Sequence, residues 1–148
     1  MSEEILRALM QLFAIIAKQD DGVVTDEERA YVENFLLQQI NADSAKEYMA
    51  LFDQFAASTG ERGGVRQLTS VKDSVRILGI CKKINKTLTQ KQKVVVLLRL
   101  FELVNTNRNF SEQRMGIIDT VAEVFKVSVE EYNDIKAFVE EDSQEVLD

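Results

Sequence analysis

Apolar residues recur along most of this chain at intervals of three and four, the spacing of helices that bury one face. Ile5, Leu6, Leu9, Met10, Leu12, Phe13 and Ile16 predict a first helix, and Val32, Phe35, Leu36 and Ile40 a second. Tyr48, Met49, Leu51, Phe52 and Phe55 predict a third. A fourth is expected from near Ser70 through Ile84, with Val71, Val75, Leu78, Cys81 and Ile84 as its apolar pattern. Val94 to Leu98 is an unbroken apolar run, followed by Leu100, Phe101, Leu103 and Val104. Propensity alone would allow a strand there. The length and the absence of breakers predict instead a fifth helix buried nearly all round. Ile117, Ile118, Val121, Ala122 and Phe125 mark a sixth after Ser111, and Tyr132, Ile135, Phe138 and Val139 a seventh after Ser128.

The start signals agree with this pattern. Thr25-Asp26-Glu27-Glu28, Ser44-Ala45-Lys46-Glu47, Thr89-Gln90-Lys91-Gln92 and Ser128-Val129-Glu130-Glu131 each fit a capping box. In such a box the first side chain accepts from the fourth backbone N–H and the fourth side chain reaches back. Ser58 to Gln67 holds three of the six glycines and is the clearest loop. The expected fold is therefore all-α, a single bundle of about seven helices. It should occupy residues 1–140, with 141–148 an acidic tail or the start of a linker. Leu12-Phe13 matches Leu100-Phe101, Thr25 to Glu28 matches Ser111 to Arg114, and Glu47-Tyr48 matches Glu131-Tyr132. These matches predict an internal duplication, with the fourth helix joining the halves.

Composition narrows the chemistry. A chain of 148 residues without proline suits one domain of long helices and short connections. No apolar run approaches the roughly 20 residues needed to span a bilayer. Met1-Ser2-Glu3-Glu4 lacks the basic start of a signal peptide. Together with the lone Cys81, this points to the cytoplasm. Cys81 falls in an apolar pattern and is expected in the core rather than as a reactive thiol. There is no histidine, which removes the commonest general base, the commonest zinc ligand and every Ser-His or Cys-His nucleophile. Any metal would have to be held by oxygen.

Between the first two helices lies Asp20-Asp21-Gly22-Val23-Val24-Thr25-Asp26-Glu27-Glu28, five of whose nine residues are carboxylates. Asp20 and Asp21 stand where a helix should end, and a helix C-terminus disfavours negative charge. Gly22, Val24 and Glu28 fall at EF-hand positions six, eight and twelve, but positions one and three are Ala17 and Gln19, so the loop is not an EF-hand. Asp21, Gly22, Val24, Glu27 and Glu28, preceded by the helix containing Leu12-Phe13-Ala14-Ile15-Ile16-Ala17, resemble TerB-like domains, the family named for tellurite resistance. The resemblance implies an all-helical bundle, an acidic surface proposed to hold a divalent cation, and a role as an interaction or stress-response module. TerB-like domains also occur joined to chaperone-like and membrane-associated ATPase chains. On this reading Asp21, Glu27 and Glu28, with Asp20 nearby, would hold a weakly bound calcium or magnesium ion, water completing the shell. The competing reading assigns Thr25 to Glu28 to helix capping and Gly22 to backbone conformation. The second half departs from the pattern: aligning Phe110 with Val24 sets Asn107 opposite Asp21, Arg108 opposite Gly22 and Arg114 opposite Glu28.

Charge is uneven. The net charge is −7, yet Arg62 to Arg99 contains ten basic residues and one acidic, a segment of +9. Lys82, Lys83, Lys86, Lys91 and Lys93 cluster at the junction of the fourth and fifth helices. They form either a solvated face that balances the acidic flanks or a dock for an anionic partner. Nucleic acid is not the expected partner, since no aromatic lies between Arg62 and Arg99 to stack on bases. Gly60-Glu61-Arg62-Gly63-Gly64 is not followed by Gly-Lys-Ser/Thr, so no nucleotide-binding P-loop is present. The expected function is a non-enzymatic cytoplasmic protein-interaction or regulatory module. It could form the N-terminal domain of a larger membrane-associated ATPase or transporter-type protein, brought to the inner face of a membrane by attached domains. The alternative is a divalent-cation-binding stress-response protein that uses the acidic turn. No feature specifies an oligomeric state.

Overall fold

The first helix is the axis of the molecule. In this computed structural model, α1 (Glu3–Ala17) contacts α3, α4, α5 and α6, and every residue from Leu12 to Ala17 is buried. Six further helices follow among the described residues: α2 (Asp26–Gln39), α3 (Ala42–Ser58), α4 (Arg66–Asn85), α5 (Gln90–Asn105), α6 (Glu112–Val124) and α7 (Val129–Leu147). The structure describes residues 2–20, 22–58 and 66–147, with side chains at all of these except 58, 66–74 and 141–147. Among the described residues there is no strand, so the run Val94 to Leu98 is helical.

Local chemistry explains most boundaries. The Ser2 hydroxyl accepts the Ile5 N–H at 3.2 Å and opens α1. Thr25 and Thr89 form complete capping boxes with Glu28 and Gln92. Ser111 caps α6 by accepting the Arg114 N–H at 3.2 Å. The start of α3 differs from the expected Ser44 box. The Asn41 side-chain oxygen accepts the Ser44 N–H at 2.8 Å, so Asn41 is the cap and Ser44 lies inside the first turn. The reason is the tight corner: α2 ends at Gln39, and the next residue, Ile40, is extended at φ −143° and ψ 172°. Asn41 then follows as the first residue able to cap α3. The helix α4 begins at Arg66, ahead of Ser70, and residues 59–65 of the expected loop lie outside the described residues. At the other end α7 continues to Leu147, through the segment expected as a tail or linker.

Aromatic edges join α1 to α2 and α5 to α7 in the core. The Phe13 ring meets Tyr31 and Phe35 edge-on at centroid distances of 6.1 and 5.7 Å. The Phe101 ring meets Tyr132 at 5.3 Å. Burying a side chain such as Phe13 contributes about 1.5–3 kcal/mol. Tyr31 keeps its polar end satisfied by donating to Glu102 Oε1 at 2.7 Å. Cys81 is fully buried, and burial alone pushes its thiol up to about 12. A thiol held protonated in this way is not a nucleophile at neutral pH.

Candidate functional site

The acidic turn connects α1 to α2 and rests against the segment that opens α6. After Ala17 the chain leaves the helix through Lys18, and Asp20 takes the left-handed conformation at φ 76°. Gly22 is also left-handed, at φ 77°. A Cβ at Gly22 would meet nothing within 4 Å, so its glycine answers a backbone requirement and not a spatial one.

Residues far away in sequence tie this turn down. The Asp20 N–H donates to Gln113 Oε1 at 3.0 Å, and Asp20 Oδ2 accepts from Asn109 Nδ2 at 3.3 Å. Asn107 Nδ2 donates to Thr25 Oγ1 at 2.6 Å. The Thr25 hydroxyl also accepts the Glu28 N–H and donates to Glu28 Oε1, both at 3.1 Å. One donor and two acceptor positions are all that a hydroxyl has, and all are used.

At the centre is a buried ion pair. Arg114 Nη1 donates to Glu28 Oε2 at 2.7 Å, with side-chain exposures of 3% and 0%. Arg114 Nη2 donates to the Ala17 carbonyl at 3.1 Å, and Arg114 Nε lies 3.6 Å from Asp20 Oδ2. Arg114 Nε has no hydrogen bond, so Asp20 interacts with it through charge alone. Glu28 and Arg114 hold the same position in their helices, the third residue after the caps Thr25 and Ser111. A cation in the first turn of α6 opposes the helix dipole. Here it is offset by a carboxylate from α2 and by a carbonyl at the negative end of α1. An isolated charge at such depth would cost several kcal/mol.

The expected ligands are thus placed in different surroundings. Glu28 faces inward, with Oε1 accepting from the Thr25 N–H at 2.9 Å and Oε2 engaged by Arg114. Glu27 is exposed at the start of α2, and successive helical side chains diverge in direction. Asp20 is partly buried against Arg114, and Asp21 lies outside the described residues. Among the described residues no group of three or more His, Cys, Asp or Glu side chains is arranged to hold a metal ion. The sequence reading missed Asn107, Asn109, Gln113 and Arg114 as partners of the turn. The signal for Arg114 was its alignment with Glu28.

The basic middle of the chain separates into two populations. Arg99 turns inward, paired with Glu102 at 2.9 Å and lying 5.8 Å from the centroid of the Phe35 ring. Lys82 and Lys83 are exposed in the last turn of α4, Lys86 is exposed just after it, Lys91 is exposed in α5, and Lys93 is half-buried two residues on. Among the described residues none of these five lysines forms an ion pair. On the same helix α4, Val75 and Leu78 are exposed, at 65% and 36%. Among the described residues, no helix is long and apolar enough to cross a membrane.

No curated protein and no solved structure matches this chain. A protein-family model described as "Tellurite resistance protein TerB" matches residues 6–137, from the first turn of α1 into α7. With that match spanning both the acidic turn and the segment that clamps it, the chain belongs to the TerB family.

Proposed function

We propose that this TerB-family chain is a non-enzymatic interaction module that docks an anionic protein partner on the lysine-rich junction of α4 and α5. The observation that carries the reading is the set Lys82, Lys83, Lys86, Lys91 and Lys93, which forms no ion pair among the described residues. Lys82 and Lys83 lie in the last turn of α4, where positive charge complements the helix dipole. That effect does not explain Lys86, Lys91 or Lys93. Val75, Leu78 and Lys82 follow helical spacing along α4, with Lys86 in the turn just after it, and set an apolar contact beside the charge. The buried titratable groups support a non-enzymatic role. Glu28 is engaged by Arg114 and Thr25, Tyr31 by Glu102, and Cys81 is held protonated. If the chain forms the N-terminal part of a membrane-associated ATPase or transporter-type protein, this cytoplasmic face would meet acidic segments of its neighbours.

The test is an NMR titration with poly-glutamate, using Lys82→Glu/Lys86→Glu/Lys91→Glu as the control. Shifts centred on residues 75–93, weakened by salt and abolished in the control, are expected. Equal shifts in both proteins would refute the dock.

A second reading is favoured by the family itself: a divalent-cation-binding protein of tellurite-type stress response, using the acidic turn. Such an ion would draw on Asp20, Asp21 and Glu27, because Glu28 already has its partners. Saturable calcium shifts at Asp20 and Glu27, lost in Asp21→Asn, would establish it. Their absence would remove it.

A further inference from the structure

We infer that Arg114 is the built-in cation of the acidic turn. Its guanidinium stands where the oxygens of α1, the turn and α2 converge: the Ala17 carbonyl at 3.1 Å, Asp20 Oδ2 at 3.6 Å and Glu28 Oε2 at 2.7 Å. Two carboxylates and a backbone carbonyl are hard oxygen donors of the kind a calcium ion takes. Without the guanidinium the fully buried Glu28 carboxylate would face Asp20 with no counter-charge. The turn therefore needs a positive charge at this point, and α6 supplies it as a side chain. In the segment 107–114, Asn107 and Asn109 donate to Thr25 and Asp20 and Gln113 accepts from the Asp20 N–H, which holds Thr25 and Asp20 in place around the guanidinium. The inference does not depend on the lysine-rich face. It assigns the turn a closed, metal-independent structural role in this chain, with Glu28 withdrawn from any exchangeable ion.

The experiment compares thermal unfolding of the full chain, metal-stripped, in EDTA, in millimolar calcium or magnesium, and in sodium chloride of matched ionic strength. The wild type is expected to melt at one temperature in all four. Arg114→Ala removes the guanidinium from among the same oxygens. It should melt several degrees lower and recover at least half of that loss with millimolar calcium or methylguanidinium, but not with sodium. Saturable stabilisation of the wild type by calcium would overturn the inference. So would recovery of Arg114→Ala by sodium as well as by calcium, or no recovery with either cation. Should the alanine variant fail to fold, Glu28→Gln/Arg114→Gln decides, because it removes both charges and keeps a hydrogen-bonding side chain at each position. With the amide at position 28 isosteric to the native carboxylate and the shorter glutamine at position 114 still polar, that variant is expected to fold and to ignore calcium; calcium-dependent folding of it would contradict the inference.

Discussion

Replacing Glu28 with glutamine tests the buried pair with the least collateral change. The amide oxygen can still accept the Thr25 N–H, so the capping box survives, while the charge 2.7 Å from Arg114 Nη1 is gone. The guanidinium, only 3% exposed, would then rely on the Ala17 carbonyl and on Asp20 at 3.6 Å. Removing one partner of a buried pair typically costs about 3–5 kcal/mol. The remaining Asp20 places Glu28→Gln near the lower end, about 3 kcal/mol by that scale. With a urea dependence of roughly 1–3 kcal/mol per molar, the unfolding midpoint should fall by about 1–3 M. The Arg29–Asp53 pair is the internal control. Its N···O distance is 2.8 Å, but its side chains are 47% and 48% exposed, so water already screens them. Asp53→Asn should cost only about 0.2–1 kcal/mol. The double variant Glu28→Gln/Arg114→Met should regain much of the loss, since it leaves no buried charge unpaired. If Glu28→Gln proves no more damaging than Asp53→Asn, the pair is not the clamp of the turn.

Other consequences are open to simpler assays. Burial and the neighbouring Glu102 carboxylate raise the Tyr31 hydroxyl above the usual tyrosine range, and burial with Asp119 raises Tyr132. An acid whose ionisation is suppressed by folding stabilises the fold fully below its unfolded pKa and loses that contribution above it. Urea stability should therefore decline above about pH 10, and Tyr31→Phe should flatten the decline; an unchanged slope would contradict the assignment. Cys81 should resist a thiol reagent in the native protein and react promptly in urea, because its buried thiol is pushed up to about 12; fast native labelling would refute its burial. Thr89→Ala removes one complete capping box at α5 and should cost about 1 kcal/mol in the same unfolding assay; a neutral result would mean that α5 is held by burial alone. Gly22→Ala should destabilise the turn through its positive φ and not through a clash, so Gly22→Asn, which tolerates that conformation better, should cost less.

Much of the bundle was legible because its signals are local. Periodic apolar positions marked the buried faces of α1, α2 and α5, and side-chain caps marked where α2, α5 and α6 begin. The α3 start was misplaced because two cap signals, Asn41 and Ser44, stand three residues apart; the extended Ile40 decides for Asn41. The end of α4 was legible, Ile84 against Asn85, but its start falls at Arg66, four residues ahead of the expected Ser70. The acidic turn was conspicuous by composition, yet its partners lie 82 to 97 residues away in sequence. Long-range pairing of this kind has no local signature. The alignment of the two halves nevertheless set Arg114 opposite Glu28, and the structure joins those two side chains directly. A position that looked like a lost ligand holds the counter-charge. The lysine-rich junction was visible as a charge run, but composition could not separate Arg99, which serves the core, from Lys82, Lys83, Lys86 and Lys91, which are exposed.

The most direct measurement is the NMR spectrum of the Arg114 guanidinium in metal-stripped protein, recorded before and after millimolar calcium is added. If Arg114 fills the cation position of the turn, its Nη protons stay protected from solvent exchange, and its signals and those of Glu28 do not move. Saturable movement of the Glu28 signals, with loss of protection at Arg114, would mean that calcium displaces the arginine and that the turn is an exchangeable ion site.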